Sequence, residues 1–118
     1  MSKDLNVSVL LDFYGQLLTQ KQNDALDLYY NQDLSLSEIA AHMGITRQGV
    51  RDNIKRGEAQ LRGYESEIGL AGKFSRVNAL CDIVNGYVNK LAEMGLGDSA
   101  NEYLTDISYH LKQIEEIV

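Results

Sequence analysis

The sequence predicts an all-α protein, and three observations predict it. Apolar residues recur at spacings of three and four along almost the whole chain. None of the 118 residues is proline, so nothing forbids long helices, and the ten glycines become the main punctuation. Two capping boxes, T-x-x-Q and S-x-x-E, mark places where helices should open.

A first helix is expected over about 5–18, with Leu5, Val9, Leu10, Phe13, Leu17 and Leu18 as its apolar stripe. Thr19 and Gln22 form a capping box that opens a second helix, whose buried side is drawn from Ala25, Leu26, Leu28, Tyr29 and Tyr30. Ser35 and Glu38 form the next box and open a short helix ending near Met43. Gly44 supplies a tight turn, and the Thr46 hydroxyl can cap the helix that follows. In that helix Val50, Ile54, Gly57, Leu61, Tyr64 and Ile68 alternate at spacings of four and three, an apolar seam over about two and a half heptads. Gly69 and Gly72 break the pattern and mark a boundary or hinge. A further helix is expected from about Ser75 to Met94, with Val77, Leu80, Cys81, Val84, Val88 and Leu91 facing inward. Gly95 and Gly97 flank its end, and Ser99 is placed to cap the last helix, where Ala100, Leu104, Ile107, Leu111, Ile114 and Val118 repeat the four-three spacing. The expected organisation is one compact domain, with residues 1–68 as a helix-turn-helix part and 69–118 as a C-terminal helical hairpin. That last stripe needs a partner surface, so the hairpin is a candidate oligomerisation element and a homodimer is expected.

The net charge of -6 argues against a general nucleic-acid coat, because lysine and arginine neutralising phosphates drive such binding. The charge is unevenly spread. Residues 46–76 carry seven cations against four carboxylates, whereas the segments on either side are acidic. An acidic body with one basic segment can still orient a protein on a polyanion. The single cysteine, Cys81, suits a reducing cytoplasm. The opening MSKDLNVSVLLDF lacks the apolar stretch and cleavage site of a secretory signal. No apolar run approaches the roughly 20 residues of a membrane span, so a cytoplasmic protein without a membrane partner is expected.

The segment Leu36–Lys55, LSEIAAHMGITRQGVRDNIK, is the part that suggests a chemistry. Ile39 and Met43 share the inner face of its first helix, and Ala40 sits where two helices cross. Gly44 permits a positive φ, Ile45 fills the angle, and Val50 with Ile54 anchors the second helix. Those constraints turn Arg47, Gln48, Arg51, Asp52 and Lys55 outward. Arginine pairs with guanine and glutamine with adenine in a major groove, while cations further along meet phosphates. Thr46, Arg47, Gln48, Arg51, Asp52, Lys55 and Arg56 are therefore the candidate nucleic-acid-binding residues. Gly49 costs the recognition helix about 1 kcal/mol of propensity relative to alanine. It suits either close approach to a backbone or packing on a neighbouring helix.

DALDLYYNQDLSLSEIAAHMGITRQGVRDNIKRGEAQL, residues 24–61, resembles region 4 of bacterial sigma factors, which binds promoter DNA. Within that superfamily the long stretch QKQNDALDLYYNQDLSLSEIA, the continuation VRDNIKRGEAQLRGYE and the helical tail are similar to the YlxM family. These are small helix-turn-helix proteins of Gram-positive bacteria. The resemblance spans about 5–118 and is most specific over 20–65. It implies a sigma region 4-like helix-turn-helix with a long recognition helix and a DNA-binding regulatory role. Genes of this family lie beside those for the signal recognition particle GTPases. The resemblance therefore also implies a part in that pathway, or an accessory role on the GTPase or its RNA with the motif as scaffold. The chain lacks a second sigma region, so full sigma activity is not expected.

Other chemistries find little support. His42 and His110 are far apart and lack the spacing of metal ligands. No histidine neighbours Cys81, no phosphate-binding glycine loop is present, and the carboxylates form no acid/base constellation. Tyr29, Tyr30 and Tyr64 lie on apolar stripes, and Tyr87, Tyr103 and Tyr109 sit in the acidic tail, so core or interface suits them better than base stacking. No enzyme activity, catalytic residue, cofactor or metal is expected.

Overall fold

A computed structural model describes residues 3–117, which form six α-helices and, among the described residues, no strand. They are α1 (Leu5–Tyr14), α2 (Gln20–Leu26), α3 (Leu36–Met43), α4 (Arg47–Ile68), α5 (Leu70–Glu93) and α6 (Asp98–Ile117). A 3₁₀ turn, Gly15–Leu17, follows α1, and a wider π turn, Asp27–Asn31, extends α2. Two compact units are present, divided between Ala71 and Gly72. No helix among the described residues is long and apolar enough to cross a membrane.

In the first unit α1, α2 and α3 all pack on α4. The core joins Val7 and Tyr14 of α1, Leu26 of α2, Ile39 of α3, and Val50, Ile54 and Leu61 of α4, all almost completely buried. The first helix departs from the expected one. It ends at Tyr14, and its buried face is Val7, Leu10, Leu11 and Tyr14, whereas Leu5, Val9 and Leu17 are exposed. These buried positions follow i, i+3, i+4, i+7, as one helical face requires. Tyr14 joins them because its hydroxyl finds a partner at the core edge, donating to Glu65 Oε1 at 2.6 Å. The π turn after α2 shifts the facing of the chain, and Ala25, Leu26, Leu28 and Tyr29 are all buried.

Both predicted capping boxes are formed. Thr19 Oγ1 accepts from Gln22 N and Gln22 Oε1 from Thr19 N, each at 3.2 Å; Ser35 and Glu38 do the same at 3.1 Å. Gly69 ends α4 in the left-handed region, but Gly72 breaks nothing, because α5 begins at Leu70 instead of near Ser75. The start of α5 is satisfied from elsewhere in the fold. The Leu70 N–H donates to the Tyr14 hydroxyl and the Ala71 N–H to Glu65 Oε1, both at 3.0 Å. A helix opened by residues distant in sequence leaves no local capping signal.

In the second unit α5 and α6 run antiparallel across the turn at Gly95 and Gly97. Val88, Asn89 and Ala92 face Asn101, Leu104, Thr105 and Ser108 across a shallow groove. The last helix opens at Asp98, with the Gly97 carbonyl accepting from Asn101 N at 3.0 Å, so Ser99 lies inside the helix and does not cap it. Of the residues expected to face inward on α5, Cys81 and Val88 are buried, while Leu80, Val84 and Leu91 are exposed. On α6 only Leu104 is buried; Ile107 and Ile114 are exposed, and Val118 lies outside the described residues.

Two glycines of α4 give opposite expectations. A Cβ at Gly57 would lie 2.6 Å from Leu26 Cδ1 and 3.4 Å from Leu26 Cγ, and Leu26 is fully buried. Gly57→Ala should lower stability by roughly 1–3 kcal/mol through overpacking. At Gly63 a Cβ meets nothing within 4 Å, so Gly63→Ala should raise stability by up to about 1 kcal/mol. Thermal unfolding of the two variants, followed by circular dichroism, checks both signs.

Candidate nucleic-acid interface

The turn between α3 and α4 is held by four local hydrogen bonds. Gly44 sits at φ 68° and ψ 33°, where a side chain would be strained, and its N–H returns to the Ala40 carbonyl. The Ile45 N–H reaches the same carbonyl at 3.2 Å. Thr46 then opens α4: its Oγ1 accepts from the Gly49 N–H at 3.0 Å, and its carbonyl accepts from Val50 N at 3.0 Å. Behind the turn Ile39, Ala40, Val50 and Ile54 are buried, and Ile45 packs on the same core. A Cβ at Gly49 would meet Thr46 Oγ1 at 3.2 Å and Ile45 Cδ1 at 3.6 Å. Its tight neighbours therefore belong to its own turn and not to a neighbouring helix.

All seven candidate residues are exposed. Thr46 spends an oxygen lone pair on the cap. Arg47, Gln48, Arg51 and Lys55 follow i, i+1, i+4, i+8 and form one outward surface on the first half of α4. Gln48 Nε2 donates to Asp52 Oδ1 at 3.1 Å, which fixes the amide along the helix. Arg56 stands on the opposite flank, about 140° around the axis from Arg51 at 100° per residue. Residues 46–56 thus carry four cations and one carboxylate, with Arg47, Arg51 and Lys55 on this surface and Arg56 off it.

The basic segment of the sequence is divided between the two units. Lys73 and Arg76 lie on α5, in the second unit. Arg62 is held by carboxylates: Nη2 is 3.2 Å from Asp4 Oδ2, and Nη1 is 3.8 Å from Glu58 Oε2. Glu58 is itself buried and accepts from the Tyr30 hydroxyl at 2.8 Å, while the Asp4 N–H donates to that hydroxyl at 3.3 Å. A buried acid one turn before Arg62 was the signal in the sequence, at i and i+4, but nothing local says that Glu58 faces inward. The Asn6 N–H, and after it Arg62, hold the Asp4 carboxyl below its ordinary 3.8. Burial, and after it the Glu58 carboxylate, push the Tyr30 hydroxyl up to about 12.

With this geometry in place, comparison with known proteins decides the family. Residues 1–97 match the family model UPF0122, described as "Putative helix-turn-helix protein, YlxM / p13 like". The chain belongs to the UPF0122 family. A UPF0122 protein of Limosilactobacillus reuteri is 40% identical over 116 residues, which cover 98% of this chain and 97% of that protein. One of Desulforamulus reducens is 43% identical over 97 residues, 79% of this chain and 83% of the relative. One of Acetivibrio thermocellus is 58% identical over 74 residues, and there the match spans 63% of each chain. The helix-turn-helix of this UPF0122 protein is the segment from Ser35 to the first half of α4 described above.

The Tyr30 shift has a definite sign. The neutral phenol is favoured in the fold, so its contribution is complete below the unfolded value near 10 and is lost as pH rises from 10 to about 12. Spectrophotometric titration should resolve a tyrosine ionising near 12, with helicity falling in the same window, and Tyr30→Phe should remove that step. Ionisation of every tyrosine near 10 would contradict the Tyr30–Glu58 pairing.

Proposed function

We propose that this UPF0122 protein is a DNA-binding regulatory protein that reads duplex DNA with the first half of α4. The observation that carries this reading is the outward row of Arg47, Gln48, Arg51 and Lys55 above a back face in which Val50 and Ile54 are fully buried. A helix anchored in this way behind a tight turn can enter a major groove without rearranging. Arg47 and Arg51 then carry bidentate donors to guanine O6 and N7, and Lys55 and Arg56 meet phosphates. Gln48 reads adenine by exchanging its bond to Asp52 for the base edge. Asp52 places a negative charge within the row, which opposes phosphates and favours a register with a cytosine amino group opposite it. A homodimer would present two such helices to a symmetric site. A part in the signal recognition particle pathway rests on the resemblance alone.

Fluorescence anisotropy with a labelled DNA duplex, and with a double-stranded RNA of the same length as control, tests the reading. Arg47→Ala combined with Arg51→Ala should abolish binding while helicity stays intact, since both side chains are exposed. For the wild-type chain the logarithm of affinity should fall with the logarithm of salt at a slope of about -2 per bound α4 face, as expected for the two phosphates met by Lys55 and Arg56. Unchanged binding by the double variant would remove these residues from the site.

A further inference from the structure

The α5–α6 pair has too little core for two helices of its length. Among the described residues only Cys81, Val88 and Leu104 are buried in it. Helices draw most of their stability from packing an apolar face, and this pair leaves that face open. On α5, Leu80, Val84, Tyr87, Leu91 and Met94 are 40–68% exposed and repeat at spacings of four and three. On α6, Tyr103, Ile107 and Ile114 are exposed, and with Leu111 they line an apolar groove of about 300 Å³.

These two stripes share one side of the pair. Counted at about 100° per residue from Val88 and from Leu104, both are displaced in the same rotational sense. In antiparallel helices equal senses point to the same side. The opposite side is polar, with Asn85 and Asn89 on α5 and Asn101, Thr105 and Ser108 on α6. The exposed side chains of the apolar side present on the order of 1,000 Å² of surface, comparable to the roughly 800 Å² that each partner of a stable interface covers. Its two long edges carry opposite charge. Lys90 borders the stripe of α5 and Asp106 that of α6, with Glu102 one turn before Asp106, and none of the three has an ion-pair partner among the described residues.

We infer that this side docks a second copy of the chain, giving an antiparallel four-helix bundle in which α5 of each copy covers α6 of the other. The two-fold axis runs along the helices. It preserves the level of each residue, and because Val88 and Ala92 stand level with Leu104 and Asn101, Lys90 of one copy meets Glu102 and Asp106 of the other. The alternative stacking, α5 on α5, would set Lys90 edges together and acidic edges together. Heptad spacing on both helices is the pattern that such bundles interdigitate. The pairing needs no nucleic acid, so its failure and the failure of DNA binding are separate results.

Sedimentation equilibrium of the full chain without nucleic acid tests it. The wild-type chain should sediment at twice the chain mass, and Leu91→Glu or Ile107→Glu at the single mass. The exposed edges supply variants that leave the fold untouched. Lys90→Glu alone, and Glu102→Lys with Asp106→Lys, should each weaken self-association severalfold. An equimolar mixture of the two should recover wild-type association, because both edges of that heterodimer are again complementary. A wild-type monomer would overturn the proposal. A mixture no tighter than its components would overturn the stacking of α5 on α6.

Discussion

The buried seam of α4 is the constraint on which the first unit depends. Val50, Ile54, Gly57 and Leu61 line the one helix that touches α1, α2 and α3, so each of these is positioned by its fit to a single rod. Gly57 is the closest point of that fit, because the Leu26 side chain occupies the space a Cβ would take. The same rod continues into the exposed row at Arg47–Lys55. Whatever rigidity the core has is therefore transmitted to the candidate binding surface without an intervening joint. The turn at Gly44 and the cap at Thr46 complete this by leaving α4 one way to leave α3.

Charge is arranged by the same packing. Glu58 enters the core edge only because Tyr30 donates to it, and Arg62 bridges it to Asp4. A buried carboxylate without such partners would be strongly disfavoured. The consequence for the surface is subtraction: Arg62 is committed to the fold, and Lys73 and Arg76 belong to α5. The cations left for a ligand cluster on the first half of α4, a compact basic patch on an acidic protein. Such a patch orients a polyanion more than it attracts one from a distance. That favours contact through a defined helix face over diffuse coating.

Several features were legible in the residues because they are local. The two capping boxes, the left-handed turn at Gly44 and the Thr46 cap each depend on residues within one turn of helix, and each stands where the pattern puts it; the α4 seam is buried from Val50 to Leu61, but at its end Tyr64 is half-buried and Ile68 is exposed. Other features depend on contacts made elsewhere in the fold. The expected α1 stripe includes Leu5, Val9 and Leu17, which are exposed, whereas Val7, Leu11 and Tyr14 face the core. The α5 helix opens at Leu70, five residues before the expected start at Ser75, because its first N–H groups are satisfied by Tyr14 and Glu65. The inward stripe expected of α5 is wider than the one found, since a single neighbouring helix covers only Cys81 and Val88.

By itself, then, the sequence determined that this protein is all-α, where most of its helices open, and that a helix-turn-helix ends in a row of arginine, glutamine and lysine. Periodicity, caps and turn residues are short-range properties, and a chain without proline has few ways to contradict them. Only the tertiary structure decided which cations remain free, which tyrosines close the ends of helices, and which apolar stripe is core and which is surface. Those outcomes depend on contacts between residues up to 58 positions apart, as in Arg62 and Asp4, and no local pattern encodes what stands across such a gap.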